Sequence, residues 1–142
     1  MADFAAGCDL IFYDPDNGIE VRSVKYGRIG SSKYLYWREI VSAFQAGHSL
    51  LIYQHFPRVQ REAYTSARAR ELAKRTHARE VYSFRTPRVL FLLAAQDRHS
   101  RSLQAAAQRV ANVWGEQIQC TSYIDGEETV KPGPTRAHPE EK

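Results

Sequence analysis

Three short apolar runs punctuate the chain, Leu10–Tyr13, Leu50–Tyr53 and Val89–Ala95. Each is rich in strand-forming residues and bounded by turn residues, which predicts buried strands. The first run breaks at Asp14-Pro15-Asp16-Asn17-Gly18, and the second ends in Gln54-His55-Phe56-Pro57-Arg58. Between them Trp37, Ile40, Val41 and Phe44 recur at i, i+3, i+4 and i+7, with Gly47 beyond. That spacing predicts a helix over 33–46, N-capped by Ser31 or Ser32. Arg61 to Thr76 holds Ala, Arg, Glu and Leu but neither Gly nor Pro, and predicts a solvated helix with a narrow apolar stripe. Val81–Phe84 predicts a further strand, joined at Thr86-Pro87 to the third apolar run. Leu103, Ala106, Ala107, Val110, Val113 and Trp114 then share one helical face between Ser100 and Gly115.

Strands alternating with helices, the strands almost continuously apolar, predict an α/β fold whose mostly parallel sheet carries helices on both faces. The predicted domain is 1–124. Beyond it the composition turns to acids, Pro and Gly, and 125–142 is read as a disordered tail. The chain has 142 residues, 43% hydrophobic and 25% charged, a composition that excludes collagen-like, disulfide-scaffold and largely disordered chains. No apolar run approaches the roughly 20 residues of a membrane-spanning helix. The N-terminus lacks a basic segment followed by an apolar one, so a cytoplasmic location and no membrane partner are expected. Cys8 and Cys120 stand far apart without metal-ligand spacing and read as reduced thiols.

The net charge of +4 is unevenly placed. Between Arg58 and Arg109 twelve Arg or Lys face four acids, a basic surface compatible with RNA or DNA. Arg58 and Arg61 flank the second loop. Arg68, Arg70, Lys74, Arg75 and Arg79 form the densest run, each a candidate for a salt-sensitive backbone contact. A solvated helix face accounts for the same residues without any ligand.

In open α/β sheets ligands bind where loops leave the carboxyl ends of strands. The loops starting at Asp14 and at Gln54 hold that place. Asp14–Gly18 reads in several ways. One is a turn in which Asp14 or Asn17 bonds nearby backbone. A calcium loop fails on Ile19 and Lys25, where an EF-hand needs Gly and Glu. A metal nuclease would use Asp14, Asp16 and Glu20, with Arg22 standing where such sites usually want Lys. His55 beside the loop reads as a general base, as a residue that orients substrate, or as a loop histidine bonded to backbone. His48, His77, His99 and His138 lack ligand spacing and are expected to face solvent. No Ser-His-Asp or Cys-His motif is visible.

Asp9-Leu-Ile-Phe-Tyr-Asp14-Pro15-Asp16-Asn17 resembles the strand and catalytic loop of amino-methyltransferases that use S-adenosylmethionine, whose pattern is Asp/Asn-Pro-Pro-aromatic. The order of elements from Asp9 to Trp114, with Gln54-His55-Phe56-Pro57 closing the next strand, resembles the C-terminal half of the bacterial 23S rRNA adenine-N6 methyltransferase family. The resemblance implies a partial Rossmann-like, methyltransferase-type sheet, with S-adenosylmethionine as cofactor and no metal. It implies that Asp14 and the Pro15 carbonyl accept hydrogen bonds from an exocyclic amine. Asp16 stands where the family has its second Pro, and Asn17 where it has the aromatic that stacks on a flipped base. A glycine-rich cofactor loop is not visible in this sequence, and Gly27-Arg-Ile-Gly30 does not replace it. The expectation is therefore a domain incomplete or inactive alone: a C-terminal fragment, one half of a split protein, or a remnant. Such a half-sheet should expose an apolar edge or face and pair with an N-terminal partner chain or another copy of itself. The other readings are a non-enzymatic module that binds nucleic acid or protein, and the small nuclease.

Overall fold

The computed structural model describes residues 7–129. Its strands are β1 (Leu10–Tyr13), β2 (Ser49–His55), β3 (Glu80–Arg85), β4 (Val89–Ala95), β5 (Gln119–Ile124) and β6 (Glu127–Thr129); its helices are α1 (Trp37–Gln45), α2 (Arg61–Thr76) and α3 (Ser100–Trp114). The strands form one open sheet in the order β1-β2-β4-β3-β5-β6. The class is α/β, but the sheet is mixed. Only β1 and β2 run parallel, Leu10 opposite Ser49 and Tyr13 opposite Ile52; every other neighbouring pair is antiparallel.

The expected mostly parallel sheet is thereby corrected, and loop length gives the reason. A parallel partner needs a crossover of a dozen or more residues, and Thr86–Arg88 is far too short for one. Thr86 folds this connection into a hairpin: its N–H donates to the Val89 carbonyl at 3.0 Å, and its hydroxyl oxygen accepts from the Arg88 and Val89 N–H groups at 3.2 and 3.1 Å. A second hairpin turns at Asp125 and Gly126, both left-handed with φ of 52° and 80°. Two such residues in succession are the two-residue loop whose twist suits adjoining strands. Asp125–Thr129, read from sequence as the start of a disordered tail, therefore continue the sheet. The rest of that expected tail, 130–142, lies outside the described residues.

The first helix also starts later than its spacing suggests. Ser31–Lys33 make a single 3-10 turn, and α1 begins at Trp37. Its leading N–H groups are held by carboxylates rather than by serine. Glu39 accepts from the Tyr36 N–H at 2.9 Å, and Glu20 accepts from the Trp37 N–H at 2.8 Å.

Strand alternation divides the core. Leu50, Ile52, Val81, Leu90 and Leu92, all fully buried, meet α1 and α2 through Ile40, Ala69 and Leu72. Leu51, Tyr82, Phe84 and Leu93, at alternate positions of the same strands, point the other way and meet α3 through Leu103 and Ala107. One helix does not cover that second face. Leu10 and Phe12, on edge strand β1, stay 43% and 54% exposed. With Leu51, Phe91 and the α3 residues Leu103 and Val110, Leu10 lines an apolar groove of about 300 Å³.

At the opposite end of the strands, two histidines expected to face solvent are instead drawn inward. His48 is buried with its Nδ1 2.6 Å from the Cys8 carbonyl. His99, 15% exposed, lies 2.7 Å from the Ser49 hydroxyl and 3.4 Å from an Asp9 carboxylate oxygen. These distances sketch a Ser-His-Asp relay. The hydroxyl, however, is wholly buried and already accepts from the Gln96 N–H at 2.9 Å, so it fastens strand ends and is closed to substrate. Neither Cys8 nor Cys120 forms a disulfide among the described residues. No helix among the described residues is long and apolar enough to cross a membrane.

Removing a side chain from the two-helix core is expected to cost most. Leu92→Ala should lower unfolding stability by about 2–5 kcal/mol, whereas Val113→Ser, on an exposed face of α3, should stay within about 0.5 kcal/mol. Urea denaturation of the two variants checks the contrast.

Candidate functional site

The parallel pairing brings the ends of β1 and β2 together, so the loops after Tyr13 and His55 leave the same edge of the sheet. One side chain ties them. Gln54 is buried, its amide oxygen accepting from the Ile19 N–H at 2.8 Å and its amide nitrogen donating to the His55 carbonyl at 2.9 Å. Gly18 allows this closure. Its φ is +81°, and a β-carbon there would fall inside the Gln54 amide group. The segment then continues as a bridge to Leu35: the Leu35 N–H donates to the Gly18 carbonyl and the Glu20 N–H to the Leu35 carbonyl, each at 2.9 Å. The Asn17 N–H donates to the Lys33 carbonyl at 2.8 Å. The loop backbone is thus fixed at three points while its polar side chains face outward.

Asp14, Asp16 and Asn17 are exposed, and none of their side chains makes a hydrogen bond or ion pair among the described residues. Pro15 is half-buried; its carbonyl accepts a long 3.3 Å bond from the Gly18 N–H and keeps a second lone pair. Tyr13, one residue earlier, has its phenol pushed above the usual tyrosine range by burial and by the nearby Glu39 carboxylate, so it remains a neutral donor at physiological pH. His55 is exposed. Its ring stands edge-on to Tyr53 at 4.8 Å, with Nδ1 3.5 Å from the Tyr53 hydroxyl, at the outer limit of a hydrogen bond. Asp14, Pro15, Asp16, Asn17 and His55 therefore lie at the ends of two neighbouring strands, on one edge of the sheet.

The basic residues do not stay together. Arg61 lies over Phe56 at 5.3 Å, which joins it to the second loop, and Arg58 is exposed nearby in the chain. Arg68 and Arg75 turn towards each other across Glu71, at 2.8 and 3.2 Å, and lie over Tyr64 and Trp37. Their charge is largely spent on the α1–α2 surface. Arg70 and Lys74 are exposed and unpaired among the described residues. They line a separate groove with His77 and Arg79 at the C-terminal end of α2.

The trio proposed for a metal nuclease is not assembled. Glu20 is committed to the N-terminus of α1, and no three His, Cys, Asp or Glu side chains gather as metal ligands among the described residues. The structure also gives roles to residues that the sequence does not single out. Gln54 reads in sequence as part of a turn, yet a glutamine at an inward position of an otherwise apolar strand is itself a signal. It must find buried partners. Comparison with protein-family models, with curated proteins and with solved structures found no match.

If Gln54 clamps the loop, its removal and the intrusion of a side chain at Gly18 should converge on one defect. Gln54→Ala leaves the Ile19 N–H buried without a partner, a cost of about 1–3 kcal/mol. Gly18→Ala adds left-handed strain of about 1–2 kcal/mol to its collision with the amide. The double variant should be less destabilised than the sum of the two, because truncating the glutamine makes room for the new methyl group. Chemical denaturation of all three tests the coupling; strict additivity would separate the two residues.

Proposed function

We propose that this chain supplies the amine-holding half of a methyltransferase-like domain of the S-adenosylmethionine-dependent, nucleic-acid adenine-N6 type, inactive until a cofactor-binding segment completes it. The observation that carries the reading is the exposed, unpaired Asp14 carboxylate beside the Pro15 carbonyl, on a loop clamped at the carboxyl end of a parallel strand. Strand order adds support. The parallel β1–β2 pair, joined through α1, brings the Asp14 loop and the His55 loop to one edge of the sheet, as the reading requires.

The chemistry asks for such acceptors. The lone pair of an exocyclic amine on adenine is delocalised into the ring, so the nitrogen is a weak nucleophile. Two acceptors that take its N–H bonds favour the pyramidal form, in which that lone pair becomes available. Asp14 and the free lone pair of the Pro15 carbonyl fill this role. Asn17 offers no stacking face, and losing an aromatic platform costs about 1–3 kcal/mol per base. His55, whose exposed ring closes the neighbouring strand, is the residue that orients the base in its place.

S-Adenosylmethionine would supply the methyl group. The described residues do not make a cradle for it. The glycines at 27 and 30 sit in open turns, where an added β-carbon would meet nothing within 4 Å, rather than packed at a strand end. No transfer step is therefore assigned to this chain's own residues. The half-exposed edge strand β1 is where a complementing strand would pair. A non-enzymatic binding module is the second reading, favoured by the Gly18 N–H that already occupies part of the Pro15 carbonyl.

A titration followed by amide NMR tests the amine site in the chain as it stands. Adenosine should shift the amides of residues 14–19 and 54–56, while inosine, which lacks the exocyclic amine, should not. Asp14→Ala should abolish the response with stability unchanged to within about 0.5 kcal/mol. Equal shifts with both nucleosides, or shifts indifferent to Asp14, would leave the binding module. Calorimetry should find no S-adenosylmethionine binding by the chain alone.

A further inference from the structure

Sorting the arginines by partner separates two populations. Arg68, Arg75, Arg79 and Arg98 each have a carboxylate within ion-pair distance. Arg58, Arg61, Arg85 and Arg88 have none among the described residues. Arg22, Arg28, Arg38, Arg70, Arg101 and Arg109 also lack one, so what sets Arg58, Arg61, Arg85 and Arg88 apart is their place at one end of the sheet. Arg61 begins α2, Arg85 ends β3 and Arg88 precedes β4, so the topology gathers them at the edge of the sheet that carries the Asp14 loop. His55 pairs with Val89, which brings Arg88 level with Phe56, the ring on which Arg61 lies. Arg85 pairs with Gln119 and donates to its side-chain oxygen at 2.6 Å.

Between Arg61 and Arg85 runs a groove of about 520 Å³, lined also by Thr86 and Pro87 of the hairpin and by Gln117 and Gln119; Arg58 and Arg88 lie outside its lining, next along the chain to the second loop and to the hairpin. Its acidic member is Glu116, and its remaining polar groups are neutral amides and a hydroxyl. A groove of this size admits a nucleotide unit. The other basic groove, around Arg70 and Lys74, is less telling: Lys74, in the last turn of α2, complements the negative end of the helix dipole, and Arg79 already faces Asp125 at 3.9 Å.

We propose that the groove between Arg61 and the β3–β4 hairpin is a track for the phosphodiester backbone of a single-stranded nucleic acid, with Arg85 and Arg88 as contacts beyond Arg58 and Arg61. The inference rests on the reading above, since it delivers the strand to the Asp14 loop. A single strand fits that reading better than a duplex, because a base must leave its stack before its amine reaches the strand-end loop. Guanidinium groups suit the task; they hold phosphate through two parallel N–H bonds while keeping their charge. Asp14 and Asp16 follow β1, at the same end of the sheet but three strands from β3, and repel phosphate, so the backbone stays on the arginines and only the uncharged base turns towards them.

Fluorescence anisotropy with a fluorescein-labelled, mixed-sequence single-stranded RNA measures this without cofactor. Each phosphate contact contributes about 0.7 to the slope of log K against log salt for a single strand, so R85A/R88A should lower the slope by about 1.4. Its affinity at low salt should fall about threefold to tenfold. R85K/R88K should retain most of the salt slope, which separates lost charge from lost folding. R70A/K74A should change affinity by no more than about twofold. Three outcomes overturn the track: no RNA binding by the wild-type chain, binding carried by Arg70 and Lys74 instead, or capture by phosphatidylserine vesicles with no RNA binding. RNA binding that survives while adenosine and inosine behave alike would sink the amine site and leave the track standing.

Discussion

Two strands running in the same direction cannot be joined by a tight turn, and that constraint organises the rest of this molecule. The connection from Tyr13 to Ser49 must return the full length of the sheet, and α1 is the part of it that makes the return. Because β1 and β2 then end at the same edge, two loops of quite different composition become neighbours. The long connection would be a liability if it were slack. It is held by the Gly18–Leu35 bridge, by Glu20 on the N-terminus of α1 and by the Gln54 amide, which together satisfy backbone groups that loop burial would otherwise strand.

Polarity at the two ends of the sheet follows from this arrangement. At the amino end, Ser49, Gln96, His48 and His99 bond one another or backbone carbonyls, and Arg98 reaches the Gly47 carbonyl at 2.5 Å. That end is closed on itself. At the carboxyl end the side chains of Asp14, Asp16, Asn17, Arg58 and Arg88 have no protein partners among the described residues. The amino end thus pairs its buried polar groups within the protein, with Asp97 and Arg101 open on its surface, while the loops of the carboxyl end leave several charged side chains open. Desolvation explains why the two ends differ: polar groups inside the amino-end cluster need partners, whereas exposed groups at the other edge are solvated until a ligand displaces water.

The periodicity made the helices and the strong strands legible, and α2 and α3 occupy the stretches their composition predicts. Strand direction was not encoded in the same way, because a run such as Val89–Ala95 is equally apolar whichever way it lies. The information was in the connectors. Three residues at Thr86–Arg88 permit only a hairpin, and Asp125-Gly126 is a hairpin turn concealed within a polar segment. The placement of the Asp14 loop was readable from the turn residues after an apolar run. The inward pull on His48 and His99 was not, since it depends on Cys8, Ser49 and Asp9 arriving from distant parts of the chain. The split of the basic run into spent and open charges was equally hidden. It turns on which arginines share Glu71, and helical spacing shows that only once the neighbouring rings are known.

The unequal covering of the two sheet faces links the edge strand to the site. α1 and α2 together bury one face, but α3 lies towards β3 and β5 on the other and leaves Leu10 and Phe12 beside a shallow apolar groove. Apolar area is worth about 25 cal/mol per Å² when removed from water, so this face gains from a cover, and the unpaired edge of β1 gains from a strand. Both demands fall on the strand that ends in Asp14. A segment that added a strand to β1 would extend the parallel part of the sheet, and its own carboxyl end would open beside the Asp14 loop. The least covered strand of the described fold is therefore the one that carries the loop of the proposed chemistry.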